Sequence, residues 1–379
     1  MSAIFWFSAL MLFYVFLGYP LLLLLWARLR SRPAHKNFLE PFISVLMVVR
    51  NEEATLRNKL LNLRDMDYPQ HKVEIVVVSD ASTDDTDRIL AEFESQGVIA
   101  RKALSQRGKP SNLNECIPEL RGEIVILMDA RQSVEPEFAR ALIRNFNDPQ
   151  VGAVSGELVL APVALPMNTS SSAASGVGFY WRYEKFLRRM ESRIDSSVGA
   201  TGALYAIRKS LFQPIAPDSL LDDMLIPMNI VRQGYRVIFE PDAVATDAAA
   251  ISASSEFRRK VRTIAGNFQL FSRETWLLNP FVNRLWIQTI SHKFLRLTAP
   301  LFLMLIMISN FFLIDSTFYL AVLVVQLLFY AAALGGRISE SRNTGVRAFT
   351  IPYAFCVLNW ATVIGFIRFV FRQQQVMWK

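Results

Sequence analysis

The chain has little of what many catalytic sites are built from. Only three histidines, His35, His71 and His292, occur in 379 residues, which excludes a multi-histidine zinc site and leaves almost nothing for a serine–histidine triad. The two cysteines, Cys116 and Cys356, stand far apart in no pairing pattern, as expected of a cytosolic domain without disulfides. Walker and Rossmann signatures are missing: "RGKP" at 107–110 lacks both the upstream glycine and the Ser/Thr after lysine. Charge is missing altogether from Ile4 to Trp26, 23 residues that are long enough to cross a bilayer. No basic residue precedes this run and no small-residue cleavage site follows it, so it reads as a signal anchor.

What is present is a hydrophobic share of 52% and a net charge of +8. Arg28, Arg30, Arg32 and Lys36 follow the anchor and mark a cytoplasmic side, which sets the N-terminus outside and the next domain inside. The anionic inner leaflet accounts for the basic balance, and nucleic acid is not an expected partner.

From Phe42 to about Ala248, apolar runs at 43–49, 73–79 and 123–128 alternate with helical patterns at 52–66, 84–93 and 135–146. Unbroken apolar strands are covered on both faces, so the alternation predicts a doubly wound α/β domain. Ligands of such domains bind beyond the carboxyl ends of the strands, where Asp80 and Asp129 fall. Asp222 and Asp223 open a helical run to about Gln233, and Asp247 follows a strand-like stretch.

The chain divides into an N-terminal membrane helix (1–28), a cytosolic domain (40–250), basic and amphipathic interface helices (251–293) and a C-terminal membrane region (294–379). That last region holds apolar stretches at 297–314, 318–334 and about 349–367. A re-entrant third stretch would keep Arg368, Arg372 and Lys379 on the cytoplasmic side. The segment 178–194 carries Trp181, Phe186, Leu187, Met190 and Ile194 on one side and Arg182, Lys185, Arg189 and Arg193 largely opposite. Its aromatics suit a helix lying against lipid or the membrane bundle.

Taken in order, "VVRNEE", "SDASTDDT", "RGKPSNLN", "MDAR", "GATGALYAIR", "LDDM" and "RRKVRT" resemble the motifs of the family 2 glycosyltransferases, the group of the cellulose, chitin and hyaluronan synthases. The resemblance runs from about Ile43 to Gln269 and implies a GT-A type nucleotide-sugar-binding domain with flanking transmembrane helices. Residue by residue it implies that Asp80 and Glu52 contact the nucleoside, that Lys109 lies near the nucleotide, and that Asp129 is the metal ligand. Asp223, beside Asp222, becomes the general base, Arg259 and Arg262 join the donor site, and Thr201 and Gly202 fall on the acceptor side.

The chemistry calls for such residues. Mg²⁺ or Mn²⁺ and arginines neutralise a sugar diphosphate, and a carboxylate takes the acceptor proton as the hydroxyl displaces the leaving group with inversion. Two positions depart from the family pattern. Arg131 stands where the metal motif has a second aspartate, which leaves Arg131 to pair with phosphate or a neighbouring acid and Asp247 as a candidate second ligand. Thr263 replaces the tryptophan of the Q-x-x-R-W motif, which moves an acceptor platform to a residue such as Phe268.

The expected activity is β-transfer from a UDP-linked sugar to a glycan or lipid acceptor, in exopolysaccharide or cell-surface glycan synthesis, at a bacterial inner membrane. A processive enzyme with so few membrane segments would need self-association or other subunits. The alternative is a non-catalytic sugar-nucleotide-binding subunit. The stretch 161–175 is a candidate lid.

Overall fold

The computed structural model describes residues 1–161, 172–248, 253–341 and 349–373. The chain enters through α1 (Ser2–Phe13) and α2 (Tyr19–Leu29), joined by a π-helical turn into one apolar helix over Ser2–Leu29. Three strands then arise from the apolar runs: β1 (Ile43–Val49), β2 (Val73–Ser79) and, after β3 (Val98–Lys102), β4 (Ile124–Met128). Every residue of β1 and β4 is buried, as two covered faces require.

The first helices lie on one face: α3 (Leu56–Arg64), α4 (Thr86–Glu94) and α6 (Phe138–Ile143) pack on Val45, Met47 and Ile126. The opposite face, with Leu46, Val48 and Leu127, is covered by α5 (Lys109–Glu119) and by α8 (Asp222–Arg232).

Beyond β4 the sheet ceases to be doubly wound. The short β5 (Ser133–Val134), the long β6 (Val151–Ala161), β7 (Leu204–Arg208) and β8 (Arg236–Ala248) complete an eight-stranded sheet of order β3-β2-β1-β4-β7-β6-β8-β5. β7 runs antiparallel to both β4 and β6, whereas β1, β2, β3 and β4 are parallel. The sheet is therefore mixed. The mix brings the start of α8 back beside the carboxyl ends of the parallel strands.

Between β6 and β7 lies α7 (Ser172–Ile194), whose Leu187, Met190 and Ile194 pack on Tyr19, Leu23 and Ala27 of the first membrane helix. Most of the 161–175 stretch read as a lid lies outside the described residues. Downstream, α9 (Ala253–Arg273) leads to a broken segment. The predicted continuous interface helix is a 3₁₀ turn at Thr275–Leu278, a three-residue α10 (Trp286–Gln288), a π-helical turn at Thr289–Phe294 and a three-residue α11 (Leu295–Leu297). Asn283 breaks it: its amide donates to the Leu277 carbonyl (2.8 Å) and to Thr289 Oγ1 (3.0 Å), pinning the loop.

The membrane region also departs from expectation. α12 (Ala299–Phe311) has only 13 residues, about 20 Å of helix against a ~30 Å hydrocarbon core, and meets Trp286–Leu297 at a 57° bend. The broken or re-entrant element is thus this first stretch and not the third. α13 (Thr317–Ser341) and α14 (Thr350–Val370) are continuous, and Ser2–Leu29, Thr317–Ser339 and Thr350–Val370 are each long and apolar enough to cross a membrane. Phe268, offered above as an acceptor platform, instead packs edge-on against Phe366 (5.1 Å) and stacks on Phe369 (6.0 Å), joining α9 to α14.

Candidate active site

The site forms where β1, β2 and β4 end. After β1, Asn51 and, after β2, Ala81 adopt positive φ (52° and 53°), turning the two loops toward each other. They are laced together: Arg50 donates to the carbonyls of Asp80 (2.8 Å) and Ala81 (3.0 Å), and the Glu52 N–H donates to Thr86 Oγ1 (2.9 Å). Glu52 is half-buried and accepts from the Thr55 hydroxyl (2.7 Å).

Asp80 has no exposed surface. Its Oδ1 accepts from the Arg107 N–H (2.8 Å) and the Asn112 amide (2.9 Å), and its Oδ2 from the Gly108 N–H (2.9 Å). With both oxygens engaged, Asp80 is a brace: it fixes the turn at Gly108 (φ 81°) that starts α5 and aims Lys109 at the cleft. Direct contact between this carboxylate and a nucleoside, implied by the resemblance, does not suit so enclosed a group.

Lys109 is the centre of the arrangement. Its Nζ lies 3.1 Å from Asp129 Oδ1 and 3.1 Å from Asp222 Oδ2, with its side chain 12% exposed. Burial alone would lower its pKa, but Asp129, Asp222 and Asp223 outweigh this and hold it raised and charged. Tyr205 on β7 approaches Asp222 at 3.5 Å.

Asp223 is set differently. Its Oδ2 accepts the Gly202 N–H (3.1 Å), and its carbonyl accepts the Ala200 N–H (2.8 Å), so the 199–202 loop wraps the start of α8. Burial and the neighbouring charge of Asp222 push the Asp223 carboxyl up to about 6, against the pull of Lys109 and Arg188. Two adjacent carboxylates are therefore set apart: Asp222 is the counter-ion of Lys109, whereas burial and Asp222 hold Asp223 above the usual carboxylate range.

The 199–202 loop has little room. A Cβ on Gly202 would lie 3.2 Å from Asp223 Oδ2 and would displace the carboxylate by a few tenths of an ångström. Gly202→Ala is expected to lower kcat by about tenfold without lowering Tm, since small misplacement of a reacting group is costly. Steady-state rates beside a thermal melt check this. Thr201 is buried and its N–H donates to Ser155 Oγ (3.0 Å), so its main-chain link to β6 holds the loop in place.

Around Asp129 the polar groups fit a divalent cation that arrives with a diphosphate. The Asp129 side chain is 35% exposed, with Oδ1 engaged by Lys109. Gln132 donates through Nε2 to Asp247 Oδ2 (3.0 Å), and its Oε1 is buried without a hydrogen-bond partner. Among the described residues no three His, Cys, Asp or Glu side chains form a metal cage. Mg²⁺ and Mn²⁺ bound with substrate phosphates need only one or two carboxylates, so an open Asp129 oxygen and an orphaned amide oxygen suit them.

Asp247 is also engaged by Arg259 (3.4 Å) on α9, which ties it into the same corner. Arg262, three residues on, is half-buried, and Arg131 is exposed beside Asp129. Lys59, unremarked in the sequence, donates to the Gln132 carbonyl (2.7 Å); burial pushes it down to about 8, opposed by Asp129. A lysine in the apolar stripe of α3, at Leu56, Lys59, Leu60 and Leu63, was the signal for it.

Comparison with known proteins agrees with this geometry. Residues 44–215 match the family model for glycosyl transferase family 2. The chain is 27% identical over 241 residues to a probable glycosyltransferase, YdaM, of Bacillus subtilis, covering 60% of this chain and 55% of that protein. It is 24% identical over 242 residues to the poly-beta-1,6-N-acetyl-D-glucosamine synthase of Staphylococcus epidermidis, covering 62% and 56%. Over a shorter 125 residues it is 34% identical to the beta-monoglucosyldiacylglycerol synthase of a Nostoc species, covering 32% and 27%. The chain thus spans about half the length, or less, of the curated relatives it matches.

In three dimensions it superposes on a mannosyltransferase from Pyrobaculum calidifontis, solved with GDP-Man and Mn²⁺. The TM-score is 0.73 at 21% identity, over 98% of this chain and 99% of that one. The fold is the GT-A glycosyltransferase fold. Residues 44–215 thus match the family 2 glycosyltransferases, and among the described residues three helices are long and apolar enough to cross a membrane.

Proposed function

We propose that the chain transfers a sugar, with inversion, from a UDP-linked donor to a hydroxyl of a glycan or lipid acceptor, forming a β-glycosidic bond. The observation that carries this reading is the Lys109 bridge between Asp129 and Asp222, with Asp223 beside it at a pKa near 6. It joins a diphosphate-neutralising group to a base within one cleft.

In this mechanism the nucleotide lies over the strand ends, held at Glu52 and over the turn that Asp80 braces. Lys109, Arg131, Arg259 and Arg262 face the diphosphate and oppose the charge that grows as the glycosidic bond breaks. Asp129 would hold Mg²⁺ or Mn²⁺, with Asp247 and Gln132 behind it; such an ion supplies further charge neutralisation of the leaving group. Asp223 accepts the proton of the acceptor hydroxyl as that oxygen attacks from the face opposite the nucleotide. Gly202 and Thr201 keep Asp223 aimed at that oxygen.

The relatives' names support the two acceptor classes, one being a polysaccharide synthase and another a glycolipid synthase. The lipid-facing helices support a multi-pass enzyme of a bacterial inner membrane, with the catalytic domain cytoplasmic and self-association or further subunits where products are long.

The test is nucleoside diphosphate release by the detergent-purified chain across UDP- and GDP-sugars with Mg²⁺ or Mn²⁺. Release with one UDP-sugar, abolished by chelation, is the expected result. Release with GDP-mannose alone would overturn the donor, and no release with any donor in the presence of native membrane lipids would overturn catalysis. In the active preparation, kcat/KM should fall as pH drops through about 6 and stay level above it, because the base must be ionised. A flat profile down to pH 5 would remove Asp223 from that role.

A further inference from the structure

α7 carries carboxylates on the face that packs inward. Glu191 has no exposed surface, and both of its oxygens are engaged. Oε1 accepts from the Tyr19 hydroxyl (2.6 Å) of the first membrane helix and faces His292 Nδ1 (2.8 Å) on the π-helical turn at Thr289–Phe294. The second ring nitrogen, Nε2, lies 3.0 Å from Oε1 of Glu184, which also pairs with Lys293 (2.8 Å) and Arg296 (2.9 Å). Glu191 Oε2 instead accepts the Val198 N–H (3.3 Å).

Val198 stands directly before the loop that holds Asp223, and most main-chain N–H groups here are tied down. Ser197 donates to the Val237 carbonyl (2.9 Å), Ala200 to the Asp223 carbonyl (2.8 Å), Thr201 to Ser155 Oγ (3.0 Å) and Gly202 to Asp223 Oδ2 (3.1 Å). Gly199, at φ 81°, separates two sets of ties. Residues before it are anchored to β8 and α7, and residues after it to α8 and β6. Glycine leaves that joint soft, so the path of the loop depends on what fixes Val198. The fixing group is Glu191, held in turn by a tyrosine of the membrane helix and a histidine of the broken segment. A buried carboxylate of this kind adds little net stability over an apolar side chain of similar size, and is better accounted for by the geometry it fixes.

We propose that Glu191 is a positioning residue for Asp223. Through the Val198 N–H it sets the 199–202 loop, whose Gly202 N–H orients the Asp223 carboxylate; through Tyr19 and His292 it takes its own position from the membrane segments. Glu191 touches no substrate in this scheme. Donor binding rests on other elements, the ends of β1, β2 and β4 and the start of α5, so the effect of Glu191 falls on kcat and not on donor affinity. The role rests on the general-base reading of Asp223, whereas the brace stands on the hydrogen bonds themselves.

Steady-state transfer, UDP titration and amide hydrogen exchange on the detergent-purified full chain test it. Tyr19→Phe removes one hydroxyl from Glu191 and should lower kcat about threefold, with donor KM and UDP Kd within about twofold of wild type. Glu191→Met should lower kcat by about tenfold, and Glu191→Gln, whose amide oxygen can still accept the Val198 N–H, should recover most of it. Should Glu191→Met fail to fold, Tyr19→Phe decides alone. In the Asp223→Asn background the same changes should have no further effect, because the group they position is gone, whereas general loosening would act equally in both backgrounds. Lys293→Gln is the control: it loosens Glu184 and not Glu191, and should lower Tm with kcat unchanged. Exchange of the amides at 197–202 reads the brace without turnover and should quicken in Tyr19→Phe. Wild-type kcat in Tyr19→Phe, equal losses in the Asp223→Asn background, or as large a loss in Lys293→Gln would overturn the proposal. A wild type that transfers no sugar from any donor, with exchange at 197–202 still quickened by Tyr19→Phe, would sink the glycosyltransferase reading and leave the brace. Unchanged exchange there removes the brace whatever the activity.

Discussion

Replacing Asp223 by Asn is expected to lower sugar transfer by roughly 10²–10⁴-fold while leaving nucleoside diphosphate binding within about twofold of wild type. Asparagine keeps the shape of the side chain and can still accept the Gly202 N–H, so the 199–202 loop should hold. What it loses is the ability to take a proton. The two readouts must separate: transfer by product formation, and binding by titration with UDP. Full activity in Asp223→Asn would end the general-base assignment and favour a non-catalytic subunit. Loss of binding together with transfer would instead say that Asp223 supports the pocket. The acid limb near pH 6 should vanish from the residual activity, because the group that produces it is gone.

Lys109→Met is expected to be the most damaging single change in the cleft. Lys109 is enclosed, and it is the cation that joins Asp129 to Asp222. Methionine fills the space but leaves two carboxylates facing each other in a poorly hydrated corner. Breaking a buried ion pair from one side typically costs about 3–5 kcal/mol, which should register as a lower Tm. Transfer should fall by more than about 10²-fold, through loss of charge opposite the leaving group. With Lys109 gone, Asp223 loses a cation that opposes its upward shift, so any remaining acid limb should move above pH 6. Lys109→Arg should not restore activity, since a planar fork replaces a compact ammonium that touches two carboxylates at once. Wild-type UDP affinity and rate in Lys109→Met would remove the bridge from the mechanism.

Much of the scaffold was legible because β4 is apolar throughout and β1 and β2 are nearly so, as expected of strands covered on both faces. The second half of the sheet was not. Val151–Ala161 contains Gly152, Gly156 and Glu157, and so reads poorly as a strand. Its antiparallel neighbour β7 hid inside a motif read for chemistry, "GATGALYAIR". Among the site residues, acids at strand ends and helix starts could be picked out singly. The Lys109 bridge could not, because it depends on a strand end and two helix starts that are far apart in sequence converging within 3.1 Å. Asp80 shows the converse: a conspicuous acid at a strand end turned inward to hold backbone N–H groups.

The buried charged cluster of α7, Glu184 and Glu191 held by His292 and Lys293, was missed for another reason. The amphipathic reading of 178–194 sorted apolar residues to one side and bases to the other, and passed over charged residues on the packed face. Glu184, Arg188 and Glu191 recur there at helical spacing beside Leu187, and a charged stripe along an apolar one was the available signal. The partners of Glu184 and Glu191 on the π-helical turn at 289–294, His292 and Lys293, could not have been foreseen from the sequence.

That junction also sets what can be separated from what. A boundary drawn between residues 293 and 294 would pass between Lys293 and Arg296, both of which hold Glu184. A fragment trimmed before His292 to yield a detergent-free enzyme would strand Glu184 and Glu191 without their counter-charges. The cost, several kcal/mol for each buried pair broken, is comparable with the whole stability of a domain. The smallest stable piece is therefore expected to run past Arg296 at one end and, at the other, to reach back to Tyr19, whose hydroxyl holds Glu191.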